Sequence, residues 1–127
     1  MAFPTTQTFA MSKVKVIDGI PYAFLYTRGF DSTADSREAA MLPQYQYCSV
    51  YVFRSDDYGY TWDYISQINT DDTVCAATSP TGRDGLCEPD VTVLPDGTWV
   101  VLMRSGGSGM PSFISYSKDK GETWTLP

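Results

Sequence analysis

The stretch RSDDYGYTW at Arg54–Trp62 has a counterpart, YSKDKGETW, at Tyr116–Trp124. Both stretches fit the pattern S-x-D-x-G-x-T-W, and their serines are 62 positions apart. The pattern residues are Ser55, Asp57, Gly59, Thr61 and Trp62 in the first stretch and Ser117, Asp119, Gly121, Thr123 and Trp124 in the second. An internal repeat of this kind is stronger evidence for a fold than the residue pattern of any single segment. The sequence therefore predicts two copies of one structural unit.

Each residue type in the pattern has a structural reason to occupy a tight turn. Ser and Asp side chains hydrogen-bond the backbone of a turn, and Gly takes a positive φ that other residues resist. Thr opens the next strand as a good β former, and Trp covers the turn and packs between neighbouring sheets. The pattern thus predicts a scaffold hairpin in each unit, without chemistry of its own.

The residues that precede each pattern also repeat. Val14–Gly29 parallels Val91–Gly106, because each has a strand, an Asp-Gly turn, an apolar strand and an arginine that closes this strand. Short runs rich in Val, Ile, Tyr, Phe and Trp alternate with clusters of Gly, Pro, Asn and Asp, which is typical of all-β proteins. The predicted strands are Thr8–Ile17, Tyr22–Thr27, Ser49–Arg54, Thr61–Gln67, Asp90–Leu94, Thr98–Arg104, Ser112–Ser117 and Thr123–Leu126.

These strands group into two four-stranded antiparallel sheets, at about residues 8–68 and 88–127 of a single unit that spans residues 1–127. Ser32–Met41 is the one stretch whose composition would suit a helical turn. A chain of 127 residues is long enough for one globular core and too short for two ordinary domains. The expected fold class is therefore all-β.

Charge and composition exclude several classes of function. The chain has 9 basic and 15 acidic residues, a formal net charge of -6, which argues against nucleic-acid binding and against docking on an acidic membrane. It contains no histidine, which excludes histidine-based triads, metal ligands and pH switches. No apolar run approaches the roughly 20 residues of a membrane span, and no signal peptide is visible at the N-terminus.

The cysteines are three in number, Cys48, Cys75 and Cys87, and an odd count fits no complete disulfide framework. A Cys75–Cys87 bridge would indicate an extracellular or periplasmic protein, whereas three thiols would carry no such implication. Three cysteines without histidine and without C-x-x-C spacing do not suit zinc. The sequence thus predicts no metal and no cofactor.

The repeated pattern resembles the Asp-box, or BNR repeat, of sialidases (neuraminidases) and related β-propellers. In this family the four-stranded unit is one propeller blade, with the Asp-box between its third and fourth strands. The resemblance covers nearly the whole chain as two blades. It implies a sialidase-like propeller protein, an exo-sialidase type of glycoside hydrolase acting on terminal acidic sugars. The alternative is a non-catalytic carbohydrate-binding or assembly module with the same fold.

The segment Gly85–Gly107 resembles the part of sialidases in which a glutamate opens one strand and an arginine closes the next. In the family the glutamate polarises a nucleophilic tyrosine, and the arginine belongs to a trio that grips the sialic-acid carboxylate. The matching residues are Glu88 and Arg104. Alternatively, Glu88 and Arg104 form a purely structural pair.

The first repeat resembles the sialidase blade whose second strand ends in arginine, here Arg28. In the family a loop follows that carries the general-acid aspartate, for which Asp31 and Asp35 are the candidates. These two residues lie in a connection that is 14 residues longer than its counterpart in the second repeat. The sequence lacks the F/Y-R-I-P motif of the family and selects no particular tyrosine as nucleophile.

Two blades of a propeller would form an open wedge with apolar flanks. Three copies of two blades make six, the number usual in sialidase-like propellers, so head-to-tail contacts would close a ring of three chains. We therefore expect a homo-oligomer, with a trimer favoured, that binds carbohydrate. The alternative is that the two blades are a fragment or a diverged stand-alone cassette.

Overall fold

The computed structural model describes residues 10–28, 48–68, 86–105 and 111–127. For residues 10–12, 27–28, 48 and 105 it describes the backbone alone. Within these ranges the secondary structure consists of β-strands and turns, which confirms the predicted all-β class. The strands are β1 (Ala10–Ile17), β2 (Ile20–Arg28), β3 (Cys48–Arg54), β4 (Asp63–Ile68), β5 (Leu86–Val93), β6 (Trp99–Ser105) and β7 (Phe113–Ser117). The stretch Ser32–Met41 lies outside the described residues.

The strands form two antiparallel sheets in which chain neighbours are also spatial neighbours. The first sheet has the order β1-β2-β3-β4, and the second has the order β5-β6-β7. Asp18 and Gly19 connect β1 to β2 with φ values of 52° and 80°. Two consecutive positive φ values define the turn whose twist matches that of the flanking strands, so the predicted Asp-Gly hairpin is confirmed.

The predicted eighth strand, Thr123–Leu126, is not a strand among the described residues. The Thr125 N–H donates to the Tyr116 carbonyl at 2.9 Å, but the Tyr116 N–H donates to the Thr125 side-chain oxygen at 3.0 Å. The hydroxyl thus takes the place that a backbone carbonyl would have in a ladder, and regular pairing stops there. In the first repeat, β4 begins at Asp63 because the Thr61 N–H is bound to Asp57 in the turn.

Strand β5 begins at Leu86, four residues before the predicted start at Asp90. The pairing with β6 is irregular between Cys87 and Asp90, and Glu88 lies within this bulge with a φ of 49°. Pro89 has no N–H to donate, so it breaks the sequence pattern of a strand but is tolerated at a bulge. The strand therefore continues on both sides of a position where its sequence indicates an end.

The core lies between the two sheets, which pack face to face. Trp99 is at its centre, with its ring edge-on to Tyr22 at a centroid distance of 4.7 Å and its side chain 2% exposed. The buried apolar side chains of this core are Ile17, Tyr22, Phe24, Val50, Val52, Ile68, Leu86, Val91, Trp99, Val101 and Met103. The opposite face of the first sheet carries a smaller cluster built around Ala23, Tyr51 and Phe53.

The register shows which positions of the two sheets are equivalent. Pro21 accepts a backbone hydrogen bond from the first box serine, Ser55, and Trp99 is paired with the second box serine, Ser117. Phe24 comes three residues after Pro21 in β2, and Leu102 comes three residues after Trp99 in β6, so Phe24 and Leu102 occupy equivalent positions. Leu102 nevertheless lies on the outer face of the second sheet, whereas Phe24 is in the core. The two sheets thus stack in the same orientation, with the same face of each pointing in one direction.

Candidate functional site

The antiparallel order gives the molecule two different ends. Four tight turns, the Asp18–Gly19 hairpin, the β6 hairpin that contains Gly97 and the two Asp-boxes, lie at one end, which we call the turn end. The connections from β2 to β3, from β4 to β5 and from β6 to β7 leave from the other end, the loop end. Glu88, Arg104 and the backbone of Arg28 are at the loop end. The candidate residues for chemistry are therefore separated from the Asp-boxes by the length of the strands.

Glu88 and Arg104 form a bidentate ion pair at the loop end. The Arg104 Nε donates to Glu88 Oε2 at 2.6 Å, and its Nη2 donates to Glu88 Oε1 at 2.9 Å. Each side chain is 52% exposed, so water and solutes reach both groups. The two N–H bonds hold the pKa of the Glu88 carboxyl below its usual range, and Glu88 in turn raises the pKa of Arg104. The two residues are therefore paired, 16 positions apart in the chain, as in the structural alternative that the sequence left open.

The backbone at the bulge fixes the direction of the Glu88 side chain. A φ of 49° is in the left-handed region, which a residue other than glycine adopts only where the surrounding structure holds it there. Pro89, which follows, is buried and anchors the bulge in the core. The orientation of Glu88 towards Arg104 is thus determined by the bulge as well as by charge.

Cys87 and Tyr26 lie beside this pair. Cys87 is buried, and its Sγ lies 3.3 Å from the carbonyl oxygen of Arg104. Tyr26 is half-buried near the loop end of β2, at the position of the first sheet that corresponds to Arg104 by register, and its side chain lies near that of Arg104. Sequence reasoning did not single out Tyr26 from the other tyrosines. Tyr26 is identified by counting along β2 from the residue that pairs with the box serine, and this pairing is known only from the structure.

The side chains of three predicted site residues lie outside the described part of the structure. Arg28 is the last residue of β2 and is paired with Cys48, and its side chain is not described. By register it lies two residues beyond the position equivalent to Arg104, so the two arginines are not equivalent. Asp31 and Asp35 lie outside the described residues. Cys75 also lies outside them, so the Cys75–Cys87 bridge stays a prediction.

The first Asp-box has the hydrogen bonds that its residue types predict. The Ser55 hydroxyl donates to Asp57 at 2.8 Å and accepts from the Gly59 N–H at 2.7 Å. Asp57 accepts from both the N–H and the hydroxyl of Thr61, at 2.7 and 2.6 Å. Gly59 has the predicted positive φ, and the residue before it, Tyr58, also has one. The turn is therefore closed almost entirely by bonds within its own pattern.

The second Asp-box repeats this network with Ser117, Asp119, Gly121 and Thr123 at nearly the same distances. The bonds from threonine and serine lower the pKa of Asp57 and of Asp119 to about 2. In both boxes the tryptophan Nε1 donates to the glycine carbonyl at 3.1 Å. The boxes thus have the structural role that the sequence predicts.

The two box tryptophans differ in their surroundings. Trp124 is half-buried, donates to Ser66 Oγ at 3.0 Å and lies with its ring edge-on to Phe24 at 6.4 Å. It therefore packs on the first sheet, as predicted for a residue between neighbouring sheets. Trp62 is 37% exposed. Its place in the first repeat is that of Trp124, with no third sheet among the described residues for it to contact.

The pattern and the geometry of the boxes agree with the comparison to known families. The BNR repeat-like domain (BNR_2) matches residues 31–127, which is most of the chain. The chain belongs to the BNR repeat-like family. This BNR repeat chain is also similar in fold to a solved structure of a protein of unknown function from Dyadobacter fermentans DSM 18053, with a TM-score of 0.61 and 23% identity. No curated protein matches it.

The similarity covers 88% of the BNR repeat chain but 25% of the Dyadobacter fermentans chain, so the BNR repeat chain corresponds to about a quarter of that protein. At this level of identity the likeness shows the fold alone. Within the ranges given above, no three acidic or cysteine side chains are placed to hold a metal ion. Nor do those ranges contain a helix with the length and apolar character that a membrane span requires.

Proposed function

We propose that the loop end binds an acidic sugar through Arg104, as in a sialidase-type site. The observation that supports this is the bidentate contact between Arg104 and the Glu88 carboxylate, with half of each side chain exposed. A planar guanidinium binds carboxylates in this forked geometry, and the carboxylate of a sialic or uronic acid has the same shape as that of Glu88. An acidic sugar can therefore compete with Glu88 for Arg104.

Hydrolysis is the finer part of this proposal and rests on the family resemblance. When a sugar carboxylate takes the place of Glu88 at Arg104, Glu88 loses the contact that lowers its pKa and becomes a better base. It then accepts the proton of a tyrosine hydroxyl, whose oxygen bonds to the anomeric carbon as the bond to the leaving oxygen breaks. Asp31 or Asp35 gives the leaving oxygen its proton, and Arg28 adds a second contact to the carboxylate. The oxygen of a water molecule then bonds to the anomeric carbon as the bond to the tyrosine oxygen breaks. The ionised Asp31 or Asp35 accepts a proton from this water, and Glu88 returns its proton to the tyrosine oxygen.

Binding without hydrolysis is the second candidate function. In the structure Glu88 is held at Arg104, and the lowered pKa of its carboxyl makes it a weaker base than an unpaired glutamate. A site in this state can recognise a carboxylate without reacting. The chain would then be a carbohydrate-binding module.

We also propose that the two sheets are adjacent blades of a β-propeller. Two features support this: the sheets pack face to face in the same orientation, and the tryptophan of one box packs on the other sheet. The Glu88–Arg104 pair would then lie on the end of the propeller opposite its Asp-box turns.

Calorimetric titration tests sugar binding. N-acetylneuraminate and glucuronate should bind saturably, and glucose, which lacks the carboxylate, should not. Arg104→Ala should weaken binding by about 10- to 100-fold, as expected for the loss of a charge-assisted hydrogen-bond pair. Arg54→Ala is the matched control, because Arg54 forms an ion pair with Asp56 at 3.0 Å at the turn end. Absence of binding, or equal losses for Arg104→Ala and Arg54→Ala, would overturn the proposal.

Release of a fluorophore from a sialoside distinguishes the two candidate functions. Hydrolysis predicts turnover in the parent chain that is lost in Glu88→Gln. A chain that binds acidic sugars but releases no fluorophore is a binding module.

A further inference from the structure

We propose that the outer face of the second sheet binds the first Asp-box turn of a second copy of this chain. The outer face, here the tail face, consists of Val100, Leu102, Ile114 and Tyr116. The turn, here the head turn, carries Tyr58, Tyr60 and Trp62. The contact joins different surfaces of the two copies, so it is head to tail. Neither surface includes Glu88 or Arg104, and the association needs no bound sugar.

The tail face is the equivalent of a surface that is already buried within one chain. By register, Leu102 corresponds to Phe24 and Ile114 to Val52. Phe24 and Val52 are fully buried by the second sheet, whereas Leu102 is 53% exposed and Ile114 is 41% exposed. The tail face thus has the apolar composition of a sheet that is covered by another sheet. Contiguous exposed apolar surface of this kind marks an interaction site.

The head turn is the equivalent of the element that covers this surface inside the chain. Trp124 of the second box seats on Phe24 and Ser66, and Trp62 is its counterpart in the first box. Tyr58 and Tyr60 beside it are 87% and 89% exposed, whereas the second box has Lys120 and Glu122 in their places. The chain therefore carries an exposed apolar sheet face that matches one half of its internal contact, and an exposed aromatic turn that matches the Trp124 turn of the other half.

Charge favours a second copy over an unrelated protein. Lys13 lies opposite Phe24 and Asp90 lies opposite Leu102, so these two residues occupy equivalent positions in the two sheets. Within one chain Lys13 donates to Asp90 at 2.9 Å, and both side chains are about half exposed. In a head-to-tail contact, the second sheet of one copy packs on the first sheet of the next copy. The Asp90 carboxylate of the one copy then faces Lys13 of the next, because the two residues occupy equivalent positions. Positive and negative charges then alternate from sheet to sheet.

The number of copies follows from the propeller architecture proposed above. Heterologous contacts form closed rings when the rotation between units closes. The described residues of each chain form two sheets, and the sialidase resemblance implies six blades per ring, so we propose three chains. The expected solution mass is therefore three times the 14.1 kDa chain mass.

Light scattering on separated peaks tests the contact with two kinds of variant. The tail variant carries Leu102→Glu with Ile114→Glu, and the head variant carries Tyr60→Glu with Trp62→Glu. Each variant alone should have the mass of one chain. A 1:1 mixture should give two chain masses, because one intact head and one intact tail remain. Near-ultraviolet circular dichroism verifies that each variant keeps the fold.

Lys118→Glu is the matched control, since it is exposed in the second box and changes the charge by the same amount as two glutamates. It should keep the mass of three chains. A parent chain that stays at one chain mass at every concentration overturns the proposal. So does a tail variant that still associates by itself, or a mixture of two folded variants that stays at one chain mass. Loss of sugar binding with the association intact would count against the loop-end proposal only.

Discussion

The box aspartates are the residues that organise both turns. Asp57 and Asp119 each accept a bond from the serine hydroxyl, the threonine N–H and the threonine hydroxyl. All three donors stabilise the ionised carboxylate, which is why the pKa of each aspartate is lowered to about 2 although both are solvent-accessible. The turns therefore depend on two negative charges.

Folding stability should decrease in acid because of these two residues. Their pKa is about 2 in the folded chain and near 3.8 in the unfolded chain, so the unfolded state takes up protons first as the pH falls. The stabilisation is complete above about pH 5 and is lost progressively as the pH falls towards about 1. Urea unfolding as a function of pH measures this loss. The double variant Asp57→Asn, Asp119→Asn should be less stable near neutral pH and should lose less stability in this interval.

Asp63→Asn is the control for this measurement, because Asp63 is an exposed residue that follows the box. It should leave the acid-dependent loss unchanged. An acid-dependent loss as large in the double variant as in the parent would show that other groups cause it.

The second Asp-box turn and β6 fit closely against each other. Gly121 has a φ of +90°, and a Cβ built on it would lie 3.1 Å from Cζ3 of Trp99, the central residue of the core. A glycine is required here for two reasons, the backbone conformation and the ring. Gly97 in the β6 hairpin has a similar φ of +85° but has nothing within 4 Å of such a Cβ.

Gly97→Ala and Gly121→Ala should therefore differ in cost. Each variant places a Cβ in the left-handed region, which costs about 1–2 kcal/mol. Gly121→Ala should cost about 1–3 kcal/mol more, because the added methyl group overpacks the ring of Trp99. Urea unfolding measures both values on the same scale. Equal costs would mean that Trp99 moves aside without loss of packing.

Among the described residues, the two sheets stack through one interface, and the outer face of the second sheet is exposed. The same side of each sheet points in the same direction, so the interface that covers Phe24 leaves the equivalent Leu102 in water. Packing within a single chain therefore buries one of the two equivalent surfaces, the one that contains Phe24. This asymmetry makes the contribution of a side chain depend on whether chains associate.

Phe24→Ala and Leu102→Ala measure this asymmetry. At low protein concentration, Phe24→Ala should cost about 3–5 kcal/mol, and Leu102→Ala should stay within about 0.5 kcal/mol of the parent. At concentrations where the chains associate, the cost of Leu102→Ala should rise, because the tail face is then buried. Urea unfolding at two protein concentrations gives both comparisons. A cost of Leu102→Ala that does not change with concentration would argue against burial of the tail face.

Much of the fold could be predicted because its signals are local. The hydrogen bonds of each box join residues within one short pattern, so the residue types indicate the turn directly. The misassigned strand limits have local causes as well: the Thr125 hydroxyl replaces a ladder carbonyl, and Pro89 interrupts β5 without ending it. For the candidate site, the resemblance predicted Glu88 and Arg104. It could not predict that Arg104 is level with Tyr26, because the register depends on pairing between strands.

The amino-acid sequence sufficed for the all-β class, the repeat and the turns, since each of these rests on bonds between residues close together in the chain. Three-dimensional packing was needed for the rest. It brings Glu88 onto Arg104 through a bulge, seats Trp124 on Phe24, and leaves Trp62 and Leu102 exposed. The physical reason is that a strand has two faces of similar composition, and the face that is buried is the one on which a second sheet packs.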